Sequence, residues 1–577
     1  MRTVNRLQAY LIALIFWAAI YLPGLGSTEI KGEEGRRILP AITMLDGGSW
    51  LIPSVGGKPF LRKPPLVNWL IAGAFKLTGV RNEWAARLPS ALCVLGLAIG
   101  IVATSGGRGW INLETGVVAA LFAITQFGLL AKARFAGAEI EGVYAPVSGL
   151  AILTWLAFWA RGRSPWLTWT LPFVFLGIAA LAKGPSLHLL FFYAIVIAVL
   201  WKARQWSQLW HPAHGAGLLI AAALFSLWAV PFFTSPEANA AAEVWKKQGI
   251  DRFTDSDFNL TNYLLNFPRA LMDLLPWVAF APALLGLIRR STLNTTAASS
   301  IPPQDAVTKS QDLVPAPLIA AIAYAVAGCF VVLLLVPGVL PRYVMPLGGP
   351  VAVLLAVALQ QLPATARQLK AWFWVNRCFA GILVLFAFVT PIAAAADLSA
   401  HGLADALRKL DPFLALLGTL LATLVLAGCA VIIARRPLGL RPLTLTLHSC
   451  VLLGLASFLY SVAAVRWINR EDDLRPMAAN IDAAVPQGKS LVIYDPGYLP
   501  ALFYLHTPFC YALDAERLPN NTEYVLVRPK ALGKLTEHQS NLQLRETFSR
   551  KGKPEILLLQ RLDGITKDPR PVSGREF

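Results

Sequence analysis

Apolar runs of about 17 to 24 residues recur from one end of this chain to the other, separated by short polar breaks. Read at that length, the chain offers about thirteen membrane-spanning helices. They lie near 7–24, 85–104, 113–131, 142–160, 166–182, 185–201, 216–233, 271–289, 315–337, 343–360, 374–395, 411–434 and 443–465. Only Lys183, Gly184 and Pro185 separate the fifth and sixth, which predicts a tight helical hairpin. The first run follows a short basic start and reads as a signal anchor. An odd number of spans puts the two ends on opposite sides. Three long polar segments interrupt the pattern, at 27–84, 234–270 and 467–577. Within the first, Pro64 and Pro65 keep the preceding backbone extended, so a helix can begin only at the prolines. The apolar helix that follows, Leu66 to Leu77, is too brief to cross a bilayer. Residues 291–313 are rich in Ser, Thr and Pro and read as a linker. From Trp467 onward the alternation changes. "SLVIYD", "EYVLVR" and "EILLLQ" are β-rich, and "DDLRPMAANIDAAV" and "LPALFYL" are helical in character. The expected architecture is therefore a polytopic α-helical membrane protein over 1–466, with a small external α/β domain at 467–577.

Composition sharpens this. The chain is 56% hydrophobic and 15% charged, with a mean hydropathy of +0.56, far from the balance of a soluble domain. Lys and Arg number 51 against 33 Asp and Glu. In a membrane protein such an excess marks cytoplasmic loops and phospholipid contact, not nucleic acid. With the N-terminus inside, the cytoplasmic segments gather Arg2, Arg6, Arg161, Arg163, Arg289, Arg290, Arg435, Arg436 and others. The short external loops hold only Lys132, Arg134, Lys183, Arg342, Arg408 and Lys409. That bias turns all three long polar segments outward. No P-loop is present, since "GKS" at 488–490 lacks the preceding glycine. The six cysteines show no metal spacing, and no disulfide is expected.

The charges at the outward ends carry the chemistry. The first loop offers Glu29, Glu33, Glu34, Arg36 and Arg37, and later Arg62 and Lys63. The loop after the third span offers Lys132, Arg134, Glu139 and Glu141. The hairpin tip offers Lys183, and "LPRYVMP" offers Arg342 and Tyr343. One such loop would read as snorkelling anchors. Acidic and basic groups recurring at four outward ends predict a shared site facing water or substrate. Group transfer from a membrane-embedded phospholipid donor needs this set. Cations hold and neutralise the departing phosphate, and a carboxylate orients or deprotonates the attacking hydroxyl. The histidines are scattered, so a metal cluster is not expected.

The run "EEGRRILPAITML", then "GGKPFLRKPPLVNWL", then "AARLPSAL" resembles the first loop of the bacterial lipid A aminoarabinose transferases and the wider polyprenyl-phosphate-sugar glycosyltransferases of the GT-C fold. "AKARFAGAE", "AKGP", "LPW" at 275–277 and the Arg342–Tyr343–Pro346 segment resemble later family segments. The resemblance implies transfer of a sugar from a polyprenyl (undecaprenyl) phosphate to a lipid A-like or other acceptor, with inversion at the anomeric carbon. By position, Glu33 and Glu139 take the places of two family aspartates and become the expected catalytic pair. Lys63 takes the phosphate-facing lysine. Arg36, Glu34, Arg62, Arg134, Lys183, Arg342, Tyr343 and, in the 234–270 loop, Arg252 complete the expected substrate-binding set. Beside the glutamates at 33 and 139, three further positions depart from the pattern. Phe60 and Arg37 stand where the family has tyrosines, and Arg62 replaces an acidic neighbour of the lysine that serves some relatives as a metal ligand.

The competing readings are a transporter or flippase of a lipid-linked sugar and a non-catalytic scaffold. Transporters often show matched halves with broken helices, which this hydropathy pattern lacks. The expectation is a monomeric enzyme of the bacterial inner membrane, working on the periplasmic side among membrane lipids. No cofactor is expected, although Glu33 and Glu139 could share a divalent ion if they converged.

Overall fold

The computed structural model describes residues 4–562, leaving out 31, 108–109, 186, 251–259, 298–315, 337–339, 396–411, 435–439, 462–472, 517, 520 and 551–552. Arg252 and most of the 291–313 linker lie outside the described residues. The chain divides into two compact units. One comprises Met1–Leu25 with Ser90–Ala464, the other Gly26–Pro89 with Val465–Phe577. The first long polar segment thus shares a unit with the C-terminal segment.

The larger unit is helical. Among the described residues, nine helices are long and apolar enough to cross a membrane, and up to eleven if each of two bent pairs counts as one span. The sequence stretches at 7–24 and 185–201 form shorter apolar helices, Arg6–Tyr21 of 16 residues and Leu187–Ala203 of 17. The first is held at its start by Asn5. Its side chain accepts from the Gln8 amide at 2.9 Å, and the Gln8 side chain accepts from the Asn5 amide at 3.0 Å. This reciprocal cap satisfies two of the amides a helix start leaves open. Helix Pro165–Lys183 ends at Gly184, whose φ of +97° only glycine adopts without strain, so the chain reverses directly after Lys183.

The two bent pairs position the chemistry. Leu113–Thr125 and Phe127–Phe135 meet at 51°, and Tyr263–Met272 and Trp277–Arg289 at 88°. A break leaves backbone amides without helical partners, which is costly in an apolar medium. Here the breaks satisfy each other. The Phe127 amide donates to the Leu275 carbonyl at 2.9 Å, and the Gly128 amide to that of Asp273 at 2.9 Å. Trp277 locks the junction. Its indole N–H donates to Thr125 Oγ1 at 2.8 Å, and its ring stacks on Phe122 with centroids 3.9 Å apart. After the first break the chain winds as a π-helix over Ala131–Phe135, bringing Lys132 and Arg134 into its last turn. Such wide turns are frequent at functional sites.

The smaller unit contains a five-stranded sheet. Strands Leu491–Tyr494, Phe509–Ala512 and Tyr524–Val527 are parallel, with the first in the middle. Lys553–Arg561 pairs antiparallel with Tyr524–Val527, and Leu542–Arg550 forms the outer edge. Helices Arg475–Ala484 and Pro529–His538 accompany the sheet. The same unit holds helix Gly35–Leu45 and, directly after the prolines, helix Leu66–Thr78. Leu39 joins a core with Ile481, Ile493 and Leu502.

A buried ion pair fastens the first polar segment. Arg87 Nε donates to Glu34 Oε1 at 2.8 Å and Nη2 to Oε2 at 2.9 Å, with both side chains fully buried. The same guanidinium donates to the carbonyls of Thr28 at 3.0 Å and Glu29 at 2.9 Å. Four donated bonds compensate the desolvation of both charges; losing one partner would leave the other buried and unpaired. Glu34→Gln or Arg87→Met alone should therefore destabilise the protein by about 3–5 kcal/mol. The double substitution should recover a large part of that loss. Thermal unfolding in detergent measures both, and a double variant as unstable as the sum of the singles would count against the pair.

Candidate functional site

In the larger unit, a charged network gathers at the first break, the loop after it, the hairpin tip and the start of Pro341–Leu347. The π-helix presents Lys132, whose ammonium donates to both carboxylate oxygens of Glu139 at 2.9 Å. Lys183, at the last position before Gly184, donates to Glu141 Oε1 at 2.9 Å. Arg342 reaches both acids, with Nε 3.2 Å from Glu141 Oε1 and Nη1 3.8 Å from Glu139 Oε2. Glu139, Glu141 and the Lys183 side chain are buried, while Arg342 and Lys132 keep about a third and a quarter of theirs exposed. Two aromatic faces flank Lys183. Its ammonium lies 4.1 Å from the centroid of the Tyr343 ring and 4.9 Å from that of Tyr144. Ring faces stabilise a desolvated cation and leave it able to accept an anionic partner.

Burial holds the Glu139 carboxyl above the ordinary carboxylate range, with Lys132 pulling the other way. Lys132, Lys183 and Arg342 are thereby fixed against Glu139 and Glu141. Asp273, at the second break, lies close enough to feel Lys132, Glu141 and Arg342. The sequence reading did not single it out, although a charge just inside an expected span was itself a signal.

Arg134 is placed differently. Its Nε donates to the Ile20 carbonyl at 2.6 Å, and its Nη2 donates to Pro23 O at 2.7 Å, Ser457 O at 3.2 Å and Ser461 Oγ at 2.6 Å. It is buried and ties the end of the first helix to that of Pro442–Leu459.

The smaller unit carries the other expected residues. Glu33 is half-buried and accepts two bonds from Arg36 Nη1, both at 2.8 Å. Glu34 is fully buried against Arg87, a residue inside "RLPSAL" that the sequence reading gave no role. Lys63 is half-buried and Arg62 exposed, immediately before the helix that opens after Pro65. The departures at Arg37 and Phe60 meet. The Arg37 guanidinium lies 5.0 Å from the Phe60 ring centroid, and the Arg37 carbonyl accepts from Asn68 Nδ2 at 2.8 Å. Glu33 and Glu139, paired in the sequence reading, belong to different compact units.

Residues 62–230 match the family of dolichyl-phosphate-mannose-protein mannosyltransferases. An undecaprenyl phosphate-alpha-4-amino-4-deoxy-L-arabinose arabinosyl transferase of Pseudomonas aeruginosa strain LESB58 is 27% identical over 291 residues, 49% of this chain and 51% of that one. Its counterpart in Enterobacter sp. strain 638 is 23% identical over 397 residues, 66% of this chain and 64% of that protein. The chain spans about half the length of most of the curated relatives it matches. The crystal structure of ArnT from Cupriavidus metallidurans bound to undecaprenyl phosphate superposes with a TM-score of 0.62 at 18% identity, covering 97% of this chain and 99% of that one.

The chain has the GT-C fold. It is a polytopic helical membrane protein, and in sequence it resembles the bacterial aminoarabinose transferases and related polyprenyl-phosphate-sugar glycosyltransferases. Within this GT-C protein the expected site residues sort by what they touch. Arg134 and Glu34 are spent on carbonyls and on Arg87. Lys132, Lys183 and Arg342 face two acids and one another.

Because the folded state holds the Glu139 proton above the ordinary carboxylate value, it binds that proton more tightly than the unfolded chain does. Its stabilising contribution is present at low pH. It falls as pH rises from the unfolded carboxylate value, about 4.3 for Glu, through the raised one. The unfolding-temperature difference between wild type and Glu139→Gln should shift against wild type across that window. A difference that stays flat with pH would contradict this assignment.

Proposed function

We propose that this protein is a membrane glycosyltransferase. It moves a sugar from undecaprenyl phosphate, or a closely related polyprenyl phosphate, to a lipid A-like lipid or another acceptor. The reaction occurs on the periplasmic face of the bacterial inner membrane, with inversion. The observation that carries the reading is the network of Lys132, Lys183 and Arg342 around the buried Glu139 and Glu141, set in a GT-C fold. Cations fixed by carboxylates are organised before substrate arrives, so little reorganisation is needed as charge develops.

In the transfer, an acceptor oxygen attacks the anomeric carbon as the bond from that carbon to the donor phosphate breaks. The electron pair stays on the phosphate oxygen, where Lys183 and Arg342 stabilise it by charge-assisted hydrogen bonds. Lys63 adds a cation at the start of a short apolar helix. Glu33 accepts or orients the acceptor proton while Arg36 holds its carboxylate. If the acceptor is itself a phosphate, little base strength is needed and positioning dominates.

The test is direct. Lipid co-purifying with the protein, read by mass spectrometry, should be a polyprenyl phosphate, and Lys183→Ala and Arg342→Ala should each lose it. Each should also lower turnover on the native donor by about 10²–10³-fold, the scale of removing one preorganised anion donor. Retained lipid and unchanged turnover in both variants would end the proposal. Lys and Arg can neutralise a monophosphate leaving group without a metal, so transfer should persist in excess EDTA. Complete loss, restored by a single divalent ion, would reassign the carboxylates as ligands.

A further inference from the structure

Tyr498 lies in the loop after strand Leu491–Tyr494, within the smaller unit. The loop turns sharply through two left-handed residues, Asp495 at φ +35° and Gly497 at φ +56°. Arg528 Nη2 steadies it by donating to the Asp495 carbonyl at 3.3 Å. The turn sends the tyrosine onto the first-loop motif, which it meets in three ways. Its hydroxyl donates to the Gly32 carbonyl. Its ring packs on Gly35 so closely that a Cβ there would stand 2.9 Å from both Cε2 and the hydroxyl oxygen. The Arg36 guanidinium lies 4.9 Å from the ring centroid. That same guanidinium donates to both oxygens of Glu33.

We infer that Tyr498 is a positioning residue that fixes the Glu33–Arg36 pair, making the C-terminal α/β segment part of the transfer machinery. The inference rests on the reading of Glu33 given under the proposed function. An i,i+3 ion pair with side chains 31% and 38% exposed holds itself only weakly against solvent and its own rotamer freedom. A ring under the guanidinium and a hydroxyl anchored one residue before Glu33 remove much of that freedom. Burial, with the Glu33 charge beside it, raises the Tyr498 hydroxyl to about 12, so it stays a proton donor at any physiological pH. Gly35 fits the same account: any larger residue would push the ring away from Arg36.

The experiment uses the full-length protein in detergent or nanodiscs. Tyr498→Ala should lower kcat by about 10- to 100-fold with donor KM little changed, since misplacing a reacting group by about 1 Å costs on that scale. Tyr498→Phe keeps the ring and should recover a large part of the loss. In a double-mutant cycle, Glu33→Gln/Tyr498→Ala should be no slower than Glu33→Gln alone, because the two act through one group. Fully additive losses, or a donor KM that rises while kcat holds, would overturn the positioning role. A readout independent of turnover accompanies these. Hydrogen exchange over residues 32–38 should rise in Tyr498→Ala while the large helical unit keeps its protection, and unchanged exchange there would also overturn it. If Tyr498→Ala fails to fold, Gly35→Ala, whose Cβ would stand 2.9 Å from the ring, carries the same cycle and exchange comparison. Wild-type turnover in Glu33→Gln would instead strike the reading of Glu33 itself, and the exchange result would still decide whether Tyr498 holds the segment.

Discussion

A helix in an apolar medium must satisfy its own backbone, and the rest of this molecule follows from that constraint. Charged side chains can be presented only where a helix ends or breaks, and every break opens amides that need new partners. This chain pairs its two breaks. The amides freed at Phe127 and Gly128 are taken by the carbonyls of Leu275 and Asp273, and Trp277 caps the junction through Thr125. Once that junction is closed, the π-helix after it can bring Lys132 and Arg134 into place without orphaned backbone. The hairpin tip at Gly184 and the turn at Pro341 then deliver Lys183 and Arg342.

Charge in such a place does one of two jobs, and its partners reveal which. A guanidinium whose donors end on carbonyls is a strut. Arg134 spans two helix ends in this way, and Arg87 spans Thr28, Glu29 and Glu34. Neither could release those contacts for a substrate without stranding buried polar groups. A network of cations and carboxylates that keeps part of its side-chain surface exposed is different, because an incoming phosphate can reach it and offers the same kind of oxygen. Lys132, Lys183 and Arg342 are of this second kind, each held by a carboxylate oxygen that a phosphate oxygen could replace.

Much of this was legible in the chain, and what was missed has a physical cause. The apolar runs locate the helices because hydrophobic length is what a bilayer selects. They did not show that 113–131 and the 263–289 region bend. Their breaks turn on Gln126 and on Asp273 with Pro276, residues that read as ordinary interruptions of an apolar run. The strands at 491–494, 524–527 and 553–561 lie in β-rich runs. The edge strand Leu542–Arg550 is largely exposed, and Glu546 interrupts the alternation of Leu542, Leu544 and Phe548 with polar residues. Glu33, Glu139, Lys183 and Arg342 stood out because ionisable groups at the ends of apolar runs are rare. Sequence spacing carries no information on partners, so Glu34 and Arg134 looked the same as the residues beside them. Tyr498 was invisible for the same reason, lying more than 450 positions from the motif it touches.

Two of the first-loop departures from the family pattern bear on what the proposed transferase would accept. Arg37 and Phe60 replace tyrosines, and they touch one another. In place of two hydroxyls, this chain sets a buried guanidinium against a ring at a single place. By the resemblance, Glu33 and Glu139 are also one methylene longer than the aspartates expected at those places. Arg36 draws Glu33 back by a bidentate contact, and Lys132 does the same for Glu139, so the added length is taken up in pairing. The carboxylates keep their charge and partners while their reach and surroundings change. On the function proposed above, that combination would keep the reaction type and place any difference from the relatives in the sugar and the acceptor.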